Sequence, residues 1–297
     1  MSATPTPEQT AAQLVRAGVG KARAMMASTV VLAVMAGAFV ALGAMLTSTI
    51  AAQSTLGAGP TRLLMGLGLT MGLFFVVVTG AELFTGNNLM VMGVLSRTIL
   101  ARELARNWAL VYVGNLIGAL VIVMLVFYGR WWEQGDFSFS EFSVTSADAK
   151  VNLSFGIAFL RGIVANMLVC LGVWMATAGR TVTDKLLAVF LPVTAFVAGG
   201  FEHSVANMFF LPFGALVAAD ADALAAAGLT AAGVSQLDIA GIVQNLVAVT
   251  LGNIVGGVLV GLADWTVHLR RRAVAAAATA RGDNAPGAPA SSQDTPG

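Results

Sequence analysis

Several side chains capable of chemistry are concentrated in one apolar stretch of this sequence. Residues 199–212, GGFEHSVANMFFLP, place Glu202, His203 and Ser204 side by side between hydrophobic runs. These residue types occur in hydrolase triads, but consecutive residues on a helix point about 100° apart and cannot form a relay with one another. Neither a G-x-S-x-G nor an H-E-x-x-H motif occurs anywhere in the sequence. We therefore expect no enzymatic activity.

The remaining composition argues against metal, cofactor and nucleic-acid binding. The chain has a single cysteine, Cys170, which excludes an internal disulfide and shows no metal-ligand spacing. We interpret Cys170 as a small apolar residue in a helix. The formal net charge of +1 provides no basic surface for nucleic acid.

The hydropathy of the chain is that of a membrane protein. Of its 297 residues, 57% are hydrophobic and 10% are charged, and the mean hydropathy is +0.83, whereas soluble domains carry roughly 25% charged residues. A membrane span needs about 20 mostly apolar residues. Six runs meet this requirement, at about 25–52, 62–96, 107–129, 152–178, 185–216 and 239–266. The sequence predicts an all-α polytopic protein with an amphipathic segment at 1–24, a six-helix domain at 25–268 and a disordered tail at 269–297.

The distribution of lysine and arginine predicts the orientation of this domain. Cytoplasmic loops of membrane proteins carry an excess of these residues. With the N-terminus inside, the outer segments hold only Arg62, Arg130 and Lys150. The inner segments then hold Arg16, Lys21, Arg23, Arg97, Arg102, Arg106, Arg180, Lys185, Arg270, Arg271, Arg272 and Arg281. Both termini are therefore predicted to be cytoplasmic. We expect the protein to lie in an inner (plasma) membrane of the bacterial type.

Two matched halves can be recognised along the chain. The motif GNLIGAL at 114–120, in the third span, returns as GNIVGGV at 252–258, in the sixth. GAELFTGNN at 80–88 and GFEHSVAN at 200–207 each place an asparagine five residues after a glutamate. Because each half has three spans, the second half must be inverted relative to the first, an arrangement in which interrupted helices meet near the midplane. We predict that the second and fifth helices are interrupted.

The residues around these two sites suit an interruption. Glycine permits backbone conformations that a helix does not use, and Gly80, Gly86, Gly199 and Gly200 lie there. Broken backbone at membrane depth must be satisfied by protein or by a water-lined cavity. The side chains predicted to bond the freed backbone groups are Glu82, Glu202, Asn87 and Asn207. A proton-relay role for the two glutamates is the alternative.

At this point the sequence resembles the formate/nitrite transporter family, over roughly residues 25 to 268. The resemblance is carried by GAELFTGNN at 80–88, RGIVANMLVCLGVWMA at 161–176 and DKLLAVFLPVTAFVAGGFEHSVANMFFLP at 184–212. It implies a homopentamer of aquaporin-like protomers, each with its own pore. It also implies passage of small monovalent anions: formate, nitrite, acetate, lactate or hydrosulfide.

The resemblance also assigns roles to individual residues. By the family pattern, His203 is the pore histidine and pairs with Thr85 of the first break, while Lys150 is the positive charge of the outer vestibule. The alternative for Lys150 is a membrane-edge lysine that extends to water. The residues expected to form apolar constrictions are Leu83 and Phe84 on the inner side, and Phe196 with Leu73 or Leu69 on the outer side.

Two polar residues of the fourth span complete the candidates. Asn166 is expected to hydrogen-bond between helices rather than to bind substrate. Arg161 has no assigned role, and a carboxylate at a helix or subunit contact is one candidate partner for it. Whether the N-terminal segment gates the pore is left open.

The predicted function is a channel-like transporter of small monovalent anions, with formate first, coupled to protons through His203. An anion that sheds its water at an apolar constriction is strongly disfavoured, and a neutral acid crosses more easily. The alternative is a passive aquaporin-like pore for neutral solutes. Lys150 and His203 favour an anion, and no Asn-Pro-Ala repeat is present.

Overall fold

The computed structural model describes residues 4–135, 137–226 and 228–270. Every regular element in these ranges is a helix. The α-helices are α1 (Pro7–Arg23), α2 (Met26–Gln53), α3 (Ala58–Thr79), α4 (Phe84–Asn87), α5 (Val91–Leu95), α6 (Ala101–Tyr128), α7 (Ser138–Val151), α8 (Phe155–Ala178), α9 (Val182–Ala198), α10 (Ser204–Val217), α11 (Ala221–Ala226) and α12 (Ile239–His268). Short 3-10 helices lie at Asn88–Met90 and Trp131–Glu133. The predicted tail lies, from residue 271 onward, outside the described residues.

The prediction of an all-α membrane protein is confirmed. Within the described ranges, five helices are long and apolar enough to cross a bilayer: α2, α3, α6, α8 and α12. The predicted fifth span is divided between α9, with 17 residues, and α10, with 14 residues. Each is shorter than the length of about 20 residues that a single span needs.

The helices pack as two matched halves. α2 lies along α6 in the first half, and α8 lies along α12 in the second. Glycines of the two repeated motifs allow this close packing. A Cβ atom on Gly118 would overlap the carbonyl oxygen of Val34, and one on Gly256 would overlap that of Ile163. The repeated motifs therefore mark the close contact of one helix pair in each half.

Both predicted interruptions are present. α3 ends at Gly80, with φ +75°, and α9 is followed by Gly200, with φ +71°. Residues 81–83 and 201–203 are non-helical, after which α4 and α10 begin. Of the four glycines predicted to permit the breaks, Gly86 and Gly199 do not serve in this way. Gly86 lies within α4, and Gly199 has a φ of −74° in the right-handed region, because one left-handed residue per break redirects the chain.

Two further helices, α1 and α7, lie beside the breaks. α1 lies within the predicted N-terminal segment 1–24 and packs against α8, α5 and α12, and its capping box begins at Thr6. α7 packs against α10 and α2. The last turn of α1 carries Lys21, and the last turn of α7 carries Lys150. Each half thus brings one lysine to its own break.

Candidate functional site

The freed backbone groups of each break are bonded by one buried asparagine from the repeated motifs. In the first break, Asn115 accepts the N–H of Phe84 at 2.9 Å and donates to the carbonyl of Glu82 at 2.9 Å. In the second, Asn253 accepts the N–H of Ser204 at 2.9 Å and donates to the carbonyl of Glu202 at 3.0 Å. Both asparagine side chains are fully buried.

This arrangement corrects the prediction for the side chains that were assigned to the freed backbone. The Glu82 carboxylate accepts from the amide of Asn87 at 2.5 Å, and the Glu202 carboxylate accepts from the amide of Asn207 at 2.7 Å. These carboxylates bond side chains rather than the broken backbone, because Asn115 and Asn253 already occupy the backbone positions. Sequence reasoning missed both residues, although their repeated Gly-Asn pairs were visible.

Each buried carboxylate also pairs with a lysine. Lys150 donates to the two oxygens of Glu202 at 2.9 and 3.0 Å. Lys21 lies 3.3 Å from Glu82 and donates to Asn87 at 2.7 Å. Lys21 was predicted only as one of the inner cations, since its partner lies 61 positions further along the chain.

The pairing changes the interpretation of Lys150. The side chain of Lys150 is 18% exposed and that of Glu202 is 6% exposed, so the two charges face each other in a largely buried contact. The ammonium lies 5.5 Å from the centre of the Phe210 ring. Lys150 was predicted as the positive charge of a vestibule, but in the structure the carboxylate compensates that charge.

Thr85 and His203 meet where the two breaks approach each other. The hydroxyl oxygen of Thr85 lies 2.9 Å from Nε2 of His203, and both side chains are buried. His203 is the N-cap of α10, and its Nδ1 accepts the backbone N–H of Ala206 at 3.1 Å. Because Nδ1 is an acceptor, the neutral ring carries its proton on Nε2 and donates it to Thr85. The ring also stacks on Phe196, with 5.7 Å between centroids.

Two cavities approach this pair from different sides. The Lys21 cavity, of about 380 Å³, is lined by Lys21, Leu83 and Lys185 among others. The Lys150 cavity, of about 460 Å³, is lined by Lys150, Arg62 and His203 among others. A small central cavity of about 20 Å³ lies between them and is lined by Val40, Leu69, Leu73, Leu83, Val169, Val193, Phe196 and His203.

The predicted constriction residues take different positions around these cavities. Leu83 lines both the Lys21 cavity and the central cavity, whereas Leu69 and Phe196 line both the Lys150 cavity and the central cavity. Leu73 lines the central cavity. Phe84 lines none of the three, and its ring packs edge-to-face on Trp108 and Tyr112.

The placement of Phe84 corrects the prediction of an inner ring formed by Leu83 and Phe84. The first residue of α4 points toward α6, so its ring fills the space between helices. Leu83, the last residue before α4, is the residue of this pair that lines the passage.

Behind Thr85 lies a second buried polar group. The amide of Asn166 donates to the Thr85 carbonyl at 3.3 Å, to Asn88 at 2.7 Å and to the carbonyl of Asn253 at 2.6 Å. Cys170 is fully buried, with its sulfur 3.6 Å from the Thr85 carbonyl. Asn166 therefore bonds between helices, as predicted, and it also bonds the backbone carbonyl of Thr85, whose side chain meets His203.

Arg161 lies on the exposed face of α8. Its carbonyl oxygen accepts the N–H of Glu202 at 3.4 Å. Among the ion pairs of the described residues, none involves its guanidinium. A carboxylate partner within the chain is therefore not observed there.

The chain is similar to known proteins over most of its length. The family profile "Formate/nitrite transporter" matches residues 8–266. The chain belongs to the formate/nitrite transporter family. It is 39% identical over 260 residues to the "Formate channel FocA" of Escherichia coli (strain K12), covering 86% of this chain and 91% of that protein. It is 32% identical over 268 residues to a "Probable formate transporter" of Methanothermobacter thermautotrophicus, covering 84% and 92%.

Solved structures of formate/nitrite transporters share this fold. A "Pentameric formate channel with formate bound" matches with a TM-score of 0.74 and 35% identity, over 82% of this chain and 98% of the other. An "FNT family ion channel" matches with a TM-score of 0.72 and 30% identity, over 88% and 97%. This family member is thus an integral membrane protein of the channel and transporter class, which supports the interpretation that it is not an enzyme.

Proposed function

We propose that this protein is a channel-like transporter of formate and related small monovalent anions. The observation that carries the proposal is the buried Thr85–His203 pair, which lies between two cavities at the meeting of two helix breaks. Its relatives include proteins named as formate channels. Nitrite, acetate, lactate and hydrosulfide share the small size and single charge of formate and complete the proposed range.

The passage combines polar contacts with dry constrictions. A hydroxyl at Thr85 and an N–H at Nε2 of His203 provide hydrogen bonds to a carboxylate in place of lost water. Leu83 on one side and Phe196 on the other provide apolar walls around a central cavity of only about 20 Å³. A bare anion is strongly disfavoured in such surroundings, and the neutral acid is favoured over it.

We propose that a proton accompanies the anion and that His203 takes part in its transfer. The Nε2–H group of His203 is the donor that can face a carboxylate at the edge of the central cavity. As the Nε2 proton passes to the carboxylate, Nδ1 takes up a solvent proton from the Lys150 cavity, which is lined by both His203 and Ala206, so the ring stays neutral. Nδ1 gives up its bond from the Ala206 N–H in this step and accepts that bond again when the ring returns to its Nε2–H form.

Replacing His203 with asparagine tests this coupling. Asparagine is a favourable N-cap, so its side-chain oxygen can accept the Ala206 N–H and preserve the start of α10, while no titratable ring remains. We expect formate flux in proteoliposomes to lose its pH dependence and to appear as electrical current across a planar bilayer. If the variant keeps the proton-linked flux and pH profile of the parent, His203 only provides a hydrogen bond.

We further propose the assembly and orientation of the protein. The solved relative described above as pentameric supports a homopentamer. The lysine and arginine distribution supports cytoplasmic termini, with the Lys21 cavity facing the cytoplasm and the Lys150 cavity facing outward. Crosslinking in native membranes and reporter fusions at the C-terminus measure these two properties separately.

A further inference from the structure

The two cavities contain more positive charge than the buried ion pairs account for. In the Lys150 cavity, Glu202 compensates the charge of Lys150, and Arg62 also lines the wall. In the Lys21 cavity, Glu82 compensates Lys21, and Lys185 also lines the wall. Among the ion pairs and side-chain hydrogen bonds found in the described parts of the chain, none involves the cationic group of Arg62 or Lys185.

These two cations occupy related positions in the two halves. Arg62 lies near the start of α3, the helix that ends at the first break, and Lys185 lies near the start of α9, the helix that ends at the second. α3 and α9 also pack against each other. Each broken helix therefore carries, near its start, a cation that lines the cavity beside the other break. Arg62 of α3 lines the Lys150 cavity, and Lys185 of α9 lines the Lys21 cavity.

The surroundings of each cation leave its charge available. Arg62 is exposed, and hydroxyl side chains of Thr47, Thr61, Thr145 and Ser146 share its cavity. Lys185 is half-buried. The neighbouring carboxylate of Asp184 accepts the backbone N–H groups of Arg180 and Thr181 at 2.8 and 2.9 Å, and Asp184 is not among the residues that line the cavity.

We propose that Arg62 and Lys185 are the anion-recruiting residues of the two cavities, and that Lys150 and Lys21 mainly hold the buried carboxylates of the breaks. This inference rests on the proposed function, because it assigns the sites where a small monovalent anion first binds. An unpaired cation in a partly enclosed cavity raises the local concentration of anions. The ion pairs, in contrast, contribute little net charge to either cavity.

The test measures initial uptake of radiolabelled formate against formate concentration, in right-side-out and inside-out membrane vesicles containing the full chain. The variants are Arg62→Gln and Arg62→Lys, with Arg130→Gln as the matched control. Arg130 belongs to the same outward-facing set in the proposed orientation, and it pairs with Glu133 rather than lining a described cavity. Sodium sulfate sets the ionic strength, since sulfate is divalent and does not compete as a small monovalent anion.

For uptake from the Arg62 side, we expect Arg62→Gln to raise the half-saturation concentration about tenfold at low ionic strength. The saturated rate should change far less. At about 1 M ionic strength the screening length is about 3 Å, and the difference should fall below about twofold. Arg62→Lys should restore the parental value because it keeps the charge, and Arg130→Gln should stay within about twofold of the parent.

The same measurement from the other side uses Lys185→Gln, with Arg102→Gln as its control. Arg102 is exposed in the first turn of α6 and lies outside the residues that line the Lys21 cavity. In Lys185→Gln, the half-saturation concentration should rise for formate uptake from the Lys185 side and stay parental for uptake from the Arg62 side.

Three results would overturn the inference. The first is a half-saturation concentration in Arg62→Gln equal to that of the parent. The second is an equal rise of the half-saturation concentration for uptake from both sides of the membrane. The third is a rise that persists at high ionic strength or in Arg62→Lys. A parent protein that carries no formate in either vesicle type would instead contradict the proposed function, and this inference would fall with it. A transporting parent with unaffected variants contradicts the recruiting role alone.

Discussion

Replacing Asn253 with leucine removes the side chain that satisfies the second helix break. Leucine has a similar volume but neither donor nor acceptor, so the Ser204 N–H and the Glu202 carbonyl lose their partners at 2.9 and 3.0 Å. A third partner, the Gly162 carbonyl, lies within α8 and belongs to the backbone ladder of that helix. Two buried backbone groups are therefore left unpaired.

The expected cost follows from these two groups. Leaving a buried donor or acceptor unsatisfied costs about 1–3 kcal/mol, which gives about 2–6 kcal/mol for the pair. This is a large fraction of a typical unfolding free energy of about 5–15 kcal/mol. For a chain of this size it corresponds to a fall in melting temperature on the order of 10 °C.

The assay is the thermal unfolding of purified protein in one detergent, followed by tryptophan fluorescence, together with formate flux in proteoliposomes. Asn152→Leu is the matched control. Asn152 is exposed at the end of α7, and among the residues that the structure describes its side-chain amide bonds only Asp148 of that helix. The control should melt within a few degrees of the parent. If Asn253→Leu melts at the same temperature as the control and keeps parental flux, the assignment of Asn253 as the support of the break is wrong.

Three further variants probe the remaining parts of the site. Asn115→Leu should lower the melting temperature by a similar amount, because it removes the matching bonds of the first break; a parental melting temperature would show that the two breaks are not equivalent. Lys150→Gln should lower the free energy of unfolding by about 3–5 kcal/mol, because it leaves a buried carboxylate without its ion-pair partner. The double variant Lys150→Gln/Glu202→Gln should recover most of that free energy, and no recovery would contradict the pairing. Leu83→Ala should raise acetate flux relative to formate flux by widening the passage. The control Leu125→Ala changes a side chain that is 65% exposed and should leave that ratio unchanged. Equal flux ratios in the two variants would show that Leu83 does not form the constriction.

Much of the helix arrangement was predictable because burial in a membrane requires long apolar segments, which are easily recognised in the sequence. Apolar runs of sufficient length located the helices, and a glycine two residues before a glutamate located both breaks. Gly80 and Gly200 take positive φ as glycine permits. The pairing of Thr85 with His203 came from the family resemblance, since the two residues are 118 positions apart and no local pattern joins them.

The errors in the site have physical causes as well. Where the chain leaves helical geometry, periodicity no longer tells which way a side chain points, and Phe84 was therefore placed in the passage although it packs against α6. The bonding of freed backbone by Asn115 and Asn253 depends on helix pairs that form only in the folded protein. Lys21 reaches Glu82 through the position of α1, which hydropathy alone does not define.

The two halves bond the backbone of their breaks in the same way, but they place different side chains along the passage. Counting one residue beyond the glutamate of each break, the first half has Leu83 where the second has His203. Leu83 lies between the Lys21 cavity and the central cavity, and His203 lies between the Lys150 cavity and the central cavity. In the proposed function, an anion from the Lys150 side meets the hydrogen-bond donor of His203 beside the apolar side chains of Leu69 and Phe196, while an anion from the Lys21 side meets the hydrocarbon wall of Leu83. The order of barriers differs with direction, so half-saturation can differ between influx and efflux although the equilibrium distribution does not. A scaffold of two matching halves in this way encloses a passage whose two entrances differ in polarity.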